Sequence, residues 1–136
     1  MIKITYLGAG SAFAPVLSKD IFQIPGLDEG ELCLVDIDPE RLELSHKATE
    51  IVNKKLNKNW KIVSTTDRRE VMGGSDFIIN TIEVSGLQTV RYDYEIPLKY
   101  GVDQCIGDTV GPGGIMKALR TIPSWLEILK DAEELC

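Results

Sequence analysis

An apolar run at residues 2–7 leads directly into Gly8 and Gly10, and this junction limits the folds open to the chain. A strand that ends in Gly-x-Gly and passes into a helix is typical of a nucleotide-binding turn, because glycine permits a tight turn and a close approach of phosphate to the backbone. The first N–H groups of the helix lack partners within the helix and attract anions. The sequence therefore predicts a nucleotide site lined by Gly8, Gly10, Ser11 and Ala12.

The third glycine of the full fingerprint is absent, since Phe13 occupies its position, so the close contact between helix and strand has to be made differently. The context nevertheless supports a dinucleotide. Asp36 closes the second apolar run about twenty residues after the turn, where a carboxylate accepts hydrogen bonds from the ribose hydroxyls of adenosine. This favours NAD over NADP, because a 2′-phosphate would meet like charge. A purely structural role for the turn and for Asp36 is the alternative.

Strand and helix patterns alternate along the chain. Strand patterns follow the first run at residues 31–36, 60–65 and 77–80, and helix patterns occupy residues 12–21, 39–57, 67–74, 87–100 and 115–135. Short links between alternating elements indicate a parallel sheet with right-handed crossovers. We predict an α/β fold with a doubly wound, Rossmann-like parallel sheet. Such sheets usually have about six strands, and only four or five are predicted here, so we expect a truncated domain.

The amino-acid composition disfavours several classes of binding partner. The net charge of −6 over 136 residues disfavours nucleic acid, whose phosphates normally need a basic face. The three cysteines form no C-x-x-C pair, which indicates neither a disulfide framework nor a zinc site and favours a reducing compartment. No basic segment followed by a long apolar run opens the chain. We therefore expect a cytoplasmic protein with no nucleic-acid or membrane partner.

A second glycine-rich motif, Gly107–Gly114, precedes the last predicted helix. Four glycines and a proline within eight residues exceed what a simple connection needs, and they place Asp108 on a constrained loop at the start of a helix. A loop of this kind can approach a ligand closely. A structural turn, with Asp108 solvated or capping the helix, is the alternative interpretation.

The chain resembles the N-terminal part of the family 4 glycoside hydrolases at five places: Gly8–Ser11, Val35–Asp38, Ile79–Ile82, Ile96–Gly101 and, most specifically, Gly107–Pro123. The resemblance implies NAD, a divalent metal, usually Mn²⁺, and redox-assisted elimination in place of two-carboxylate hydrolysis. It also implies that residues 1–136 form the NAD-binding domain at the N-terminus of a longer enzyme. The implied reaction removes a hydride from sugar carbon 3 and a proton from carbon 2, expels the leaving group, adds water and returns the hydride.

The resemblance implies roles for individual residues. Asp108 matches the acid that protonates the leaving group in members acting on α-glycosides, and Thr109 beside it is expected to bind substrate. Asn80 lies where cofactor and substrate meet. Independently of the resemblance, Arg91 on the helix after the fourth strand is expected to reach an anionic part of the substrate or cofactor, and a solvated helix face is the alternative. The sequence of the motif around Asp108 is most similar to that of family members acting on unphosphorylated α-glucosides, α-galactosides or α-galacturonides. The Mn²⁺ ligands and the base are expected downstream of Cys136, so no metal ligand is assigned here.

Two other functions are considered beside the glycosidase. An NAD-dependent 2-hydroxy-acid dehydrogenase shares the opening strand, the glycine turn and Asp36, but the loop around Asp108 counts against it. A non-catalytic nucleotide-binding module is the second alternative. We expect a homo-oligomer that binds NAD and a small α-glycoside. Because the metal ligands and base are not found in these residues, we also expect no hydrolysis by the 136-residue chain alone. Release of p-nitrophenol from an α-glycoside with NAD and Mn²⁺ would contradict that expectation.

Overall fold

The computed structural model describes residues 1–105 and 110–136. It forms two compact units, of which the first comprises Met1–Ile82 with Asp131–Cys136 and the second comprises Glu83–Lys130. Asp108 and Thr109, two of the predicted site residues, lie outside the described residues. No helix among the residues that are described is both long and apolar enough to cross a membrane.

The first unit is built on one four-stranded parallel sheet. Its elements in chain order are β1 (Ile2–Leu7), α1 (Phe13–Phe22), β2 (Glu29–Val35), α2 (Pro39–Lys55), β3 (Asn59–Thr65), α3 (Arg69–Met72) and β4 (Phe77–Asn80). The strand order is β3-β2-β1-β4, and every neighbouring pair is parallel. This confirms the predicted α/β fold with a doubly wound parallel sheet. The order reverses beside β1, and a crevice at the carboxyl ends of β1 and β4 is where such sheets bind ligands.

The core lies along the two central strands. Leu32, Cys33 and Leu34 are consecutive on β2 and all fully buried, so both faces of the sheet are covered at this strand. Phe22 at the end of α1 packs against Trp60 of β3 with ring centroids 5.2 Å apart. Burial of these large apolar side chains makes the largest favourable contribution to the folding free energy of this unit. It also holds the strand ends in place.

The buried face of α1 begins at Ala14. Phe13, at the position of the missing third glycine, is 68% exposed, whereas Ala14 is fully buried. Ser18, one turn later, is also fully buried and donates its hydroxyl to the Ala14 carbonyl oxygen at 2.6 Å. The small side chains of Ala14 and Ser18 therefore lie on the buried face of the helix, whereas the residue at the position of the third glycine is exposed.

The predicted start of α2 is confirmed. Asp38 is the N-cap residue, and its carboxylate accepts the backbone N–H groups of Glu40 and Arg41, each at 3.1 Å, while Pro39 occupies the first turn. Proline suits this position because its missing N–H would have had no partner within the helix. The cap fixes the start of α2 three residues after Asp36, which itself directly follows β2.

We expect Asp38→Ala to lower the free energy of unfolding by about 1 kcal/mol, because two N–H groups of the first turn would lose their acceptor. Asp38→Asn is the matched control, since an asparagine oxygen caps a helix about as well as aspartate does. Urea unfolding followed by circular dichroism measures both. Equal losses for the alanine and asparagine variants would show that the cap contributes nothing beyond its charge.

The second unit contains α4 (Leu87–Lys99) and most of α5 (Pro112–Leu135), whose end, from Asp131 onward, belongs to the first unit. The start of α5 was predicted at residue 115 but lies at Pro112. The earlier start has a physical reason: proline suits the first turn, and Gly113 packs where a Cβ would lie 2.6 Å from the Asp93 carbonyl oxygen and 2.1 Å from Nε2 of Gln104.

A charged pair holds α4 and α5 together within the second unit. The Arg120 guanidinium donates to both carboxylate oxygens of Asp93, at 2.7 and 2.6 Å. Asp93 is only 7% exposed. Lys117, on the same helix as Arg120, pairs with Glu83 at 2.5 Å. A bidentate pair of this kind fixes the orientation of two helices as well as neutralising a buried carboxylate.

Candidate nucleotide-binding site

The glycine turn lies at the carboxyl ends of three neighbouring strands. The backbone N–H groups of Gly8 and Ala9 both donate to the Val35 carbonyl oxygen, at 2.9 and 3.0 Å, which ties the turn to the end of β2. Gly8 has a φ of +79°, a conformation that side chains disfavour. A Cβ on Gly8 would also lie 2.7 Å from the carbonyl group of Thr81, just beyond β4. Glycine is therefore required at this position for two independent reasons.

Thr81 secures the turn from the β4 side, a role that the sequence did not indicate. Its backbone N–H donates to the Leu7 carbonyl oxygen at 3.0 Å. Its hydroxyl lies 3.2 Å from the carbonyl oxygens of both Leu7 and Gly8 and can donate to either. The turn is thus held on one side by Val35 and on the other by Thr81. A backbone fixed in this way is preorganised for a ligand, so little conformational entropy is lost on binding.

Asp36 lies directly against the turn. One carboxylate oxygen accepts the Gly10 N–H at 2.7 Å and the other accepts the Asp38 N–H at 3.0 Å. A Cβ on Gly10 would lie 2.8 Å from this carboxylate, so the second glycine is required for the contact. An ionised carboxylate can accept about four hydrogen bonds, and two remain for a ligand. The residue is half-buried. This geometry fits the predicted role of Asp36 toward ribose hydroxyls.

The start of α1 fits an anion. Ala12 occupies the N-cap position without any side-chain cap, and the first turn carries no acidic residue. The hydroxyl oxygen of Ser11 is buried and has no hydrogen-bond partner among the described residues. The Ala14 N–H already donates to the Ser11 carbonyl oxygen at 3.1 Å, and Pro15 has no N–H, so the N–H groups of Ala12 and Phe13 remain without a partner among the described residues. These two groups and the helix dipole attract negative charge. Gly8, Gly10, Ser11 and Ala12 therefore lie together at the start of α1, and their contact with a pyrophosphate stays a prediction.

Asn80 lies at the same edge of the sheet. It is the last residue of β4, pairs in register with Leu7, and is exposed. Its side-chain oxygen accepts the Ile82 N–H at 3.2 Å. The structure thus brings Asn80 next to the residue that precedes the glycine turn. Its contact with a cofactor stays a prediction.

Arg41 is a further residue of this region that sequence reasoning missed. Its side chain extends from the first turn of α2, and its Nε donates to the Gly10 carbonyl oxygen at 3.2 Å. The Cβ of Arg41 lies 3.1 Å from the place that a Cβ on Gly10 would take. In the sequence, Arg41 cannot be told from any other solvated arginine on a helix. Only its contact with Gly10 in the folded structure distinguishes it.

The comparison with known sequences now decides the family. The sequence model of a family described as family 4 glycosyl hydrolase matches residues 3–136. The chain belongs to the family 4 glycosyl hydrolases. Family membership confirms the predicted resemblance and decides against the 2-hydroxy-acid dehydrogenase.

Three relatives of this family 4 chain illustrate the match. An alpha-galactosidase of Bacillus subtilis is 42% identical over 138 residues, covering 100% of this chain and 32% of the relative. The crystal structure of a 6-phospho-alpha-glucosidase from gut microorganisms in complex with NAD and glucose-6-phosphate has a TM-score of 0.86 at 30% identity, over 98% of this chain and 30% of that one. A second crystal structure of a 6-phospho-alpha-glucosidase from gut microorganisms, in complex with NAD and Mn²⁺, has a TM-score of 0.85 at 25% identity, again over 98% and 30%. The chain therefore spans about a third of each relative's length.

Arg91 of this family 4 chain lies in the second unit, on α4. Its Nε donates to Glu95 at 2.5 Å, and 73% of the side chain is exposed. The hydrogen bond to Glu95, with the charge of the same carboxylate, raises the pKa of Arg91 above its ordinary value. An exposed pair one helical turn apart is typical of a solvated helix face. The predicted contact of Arg91 with substrate remains a prediction.

The described part of this family 4 chain offers no metal centre. Among residues 1–105 and 110–136, no three side chains of His, Cys, Asp or Glu lie close enough together to hold an ion. Cys33 is fully buried in β2, and burial, with a hydrogen bond to Glu31, raises the pKa of its thiol to about 11. Full burial in a strand of the sheet fits packing as the role of Cys33.

Proposed function

We propose that this chain forms the NAD-binding part of a family 4 glycosidase that acts on α-glycosides. The observation that carries the proposal is the glycine turn, held between Val35 and Thr81 at the carboxyl edge of β1 with Asp36 against it. Two family 4 crystal structures that share this fold contain NAD. The uncapped start of α1 and the buried Ser11 hydroxyl support a pyrophosphate at the same place.

Each residue of the proposed site has a separate task. The N–H groups at the start of α1 and the Ser11 hydroxyl bind the pyrophosphate, and Asp36 accepts the ribose hydroxyls with its two remaining lone pairs. Asn80, at the edge of the sheet, orients the part of the cofactor that faces the sugar. When bound, NAD supplies reversible hydride transfer with the sugar. The chain's contribution to that chemistry is position, because a held turn keeps the cofactor in one orientation.

The proposed substrate is an unphosphorylated α-glycoside. The Gly107–Gly114 motif supports this class. We propose that Asp108 protonates the leaving group and that Thr109 and Arg91 bind the substrate. We also propose Mn²⁺ as a cofactor of the whole enzyme, because the crystal structure of a relative contains it. No step is assigned to Mn²⁺ here, because the described residues offer it no ligand cluster.

We propose a cytoplasmic location and a homo-oligomeric state. All three cysteines, Cys33, Cys105 and Cys136, are free thiols, which suits a reducing compartment. Exposed apolar side chains on α5, including Ile115, Leu119 and Ile122, are available for a contact between copies.

Binding of NADH tests the proposal most directly. We expect the chain to bind NADH and Asp36→Ala to weaken that binding at least tenfold, about 1.4 kcal/mol, because two ribose hydroxyls would lose a charged acceptor. Enhancement of NADH fluorescence on titration measures the dissociation constant.

The matched control is Asp20→Ala, which removes one carboxylate from an α1 side chain that is 60% exposed and paired with Lys19. It should bind NADH with the native affinity. If the native chain fails to bind NADH, the proposed function is wrong. If Asp36→Ala and Asp20→Ala bind equally well, the assignment of Asp36 to the ribose is wrong.

A further inference from the structure

Glu83 is the first residue of the second unit, and half of its carboxylate is without a donor. One oxygen accepts from the ammonium of Lys117, on α5, at 2.5 Å. The other oxygen is buried and has no hydrogen-bond partner within residues 1–105 and 110–136. A buried carboxylate oxygen without a donor carries a desolvation cost, which a ligand that donates a hydrogen bond to it removes.

Lys117 provides donors beside this carboxylate. An ammonium carries three N–H groups, and Glu83 engages one of them. The position of Lys117 is fixed by Arg120, three residues later on α5, whose guanidinium donates to both carboxylate oxygens of Asp93 on α4. The pKa of Arg120 is raised by these hydrogen bonds to Asp93 and, to a smaller extent, by the charge of Glu83, which indicates that the two pairs form one cluster.

The pair of Glu83 and Lys117 is within reach of a small ligand. Their side chains are 28% and 41% exposed, so the pair lies at the surface of the second unit. The terminal torsion of a glutamate has a broad energy profile, so a modest rotation turns the covered oxygen toward a ligand. A hydroxyl group both donates and accepts, and it therefore satisfies a carboxylate oxygen and an ammonium that lie side by side.

We propose that Glu83 and Lys117 together bind a hydroxyl group of the sugar substrate, Glu83 as the acceptor and Lys117 as the donor. The inference rests on the proposed function, which gives an α-glycoside as the ligand. Three residues span at most about 11 Å, so the chain itself keeps Glu83 within that distance of Asn80, the residue assigned to the part of the cofactor that faces the sugar. Arg120 touches no ligand in this arrangement and is a positioning residue for Lys117.

Titration of the native chain with methyl α-D-galactopyranoside, with and without saturating NAD, tests the pair through chemical-shift changes in amide NMR spectra. We expect the sugar to bind, and Glu83→Gln and Lys117→Met each to raise its dissociation constant about fivefold, because each removes a charge from a hydrogen bond to the sugar. Glu43→Gln is the matched control, since it removes the same charge from an exposed pair with Lys47 and should leave the dissociation constant unchanged. Circular dichroism identifies any variant that does not fold.

The ribose of the cofactor carries hydroxyl groups of the same kind, and the affinity for NADH separates the two sources. If Glu83→Gln weakens the binding of NADH but not that of the sugar, the pair contacts the cofactor and the inference is wrong. It is equally wrong if the native chain binds no sugar, or if Glu83→Gln and Glu43→Gln bind the sugar with equal affinity, and binding of NADH by the native chain then leaves the proposed function standing. Failure to bind NADH overturns the proposed function alone, because the titration without NAD still tests the pair.

Discussion

Gly8→Ala is expected to lower the free energy of unfolding of the first unit by about 3 kcal/mol or more, since two costs add at this position. The native φ of +79° would have to be kept by a residue with a Cβ. That Cβ would lie 2.7 Å from the carbonyl carbon and oxygen of Thr81 and 2.9 Å from the Ile82 nitrogen, all backbone atoms of the chain beyond β4. Backbone atoms held by a parallel strand cannot move aside at small cost. Urea unfolding followed by circular dichroism measures the loss.

Gly26→Ala is the matched control because it isolates the first of these costs. Gly26 has a φ of +81°, almost the same as Gly8, but a Cβ there would meet no atom within 4 Å. Gly26→Ala should therefore lower the free energy of unfolding by only about 1–2 kcal/mol, which is the cost of the left-handed conformation for a residue with a Cβ. The difference between the two variants measures the collision with Thr81. Equal losses at the two glycines would show that the turn is not packed against the end of β4.

Asp93→Ala is expected to destabilise the second unit by about 2 kcal/mol, because Arg120 would lose both of its hydrogen bonds to a carboxylate that is only 7% exposed. The cost stays below that of breaking a wholly buried pair, since 23% of the Arg120 side chain is exposed and can be hydrated. Thermal unfolding of the native chain and the variant measures the difference. The matched control is Glu95→Ala, which breaks the exposed pair with Arg91 on the same helix and should change the stability little.

The same pair predicts a dependence on pH. Hydrogen bonds from Arg120 hold the pKa of Asp93 below its ordinary value, with the positive charge of Arg120 acting in the same direction and burial opposing them. A carboxyl whose pKa is lower in the folded state stabilises the fold above its unfolded pKa of about 3.9, and this contribution disappears as the pH falls through the folded value. The native chain should therefore lose stability below about pH 4 more steeply than Asp93→Ala does. Parallel pH profiles for the two chains would contradict this.

Elements of the first unit were predicted well because their signals are local. The apolar run of β1 and the Asp38 cap with Pro39 lie where the sequence indicated, and the second strand, predicted at residues 31–36, spans Glu29–Val35. Each depends on residues a few positions apart, whose periodicity and capping chemistry act before any long-range contact forms. At the start of α1, burial falls on Ala14 and not on Phe13, which the spacing of the fingerprint alone does not indicate.

The candidate site was predicted only in part. Gly8, Gly10, Ser11, Ala12, Asp36 and Asn80 meet at one edge of the sheet, as their positions at strand ends implied. Thr81 and Arg41 were missed, because a threonine after a strand and an exposed arginine on a helix carry no local mark of their contacts. The roles of Asp108 and Thr109 still depend on the resemblance to the family, and that of Arg91 stays a prediction from the sequence.

By itself the sequence determined the succession of strands and helices along the chain, the positions in the turn that demand glycine, and the family to which the chain belongs. Local conformational preference and a specific motif suffice for each of these. Only the tertiary structure decided that Thr81 braces Gly8, that Asp36 is held by two N–H groups, and that Arg41 reaches Gly10. The physical reason is the strand order β3-β2-β1-β4, which brings together residues far apart in the chain by burying a shared sheet.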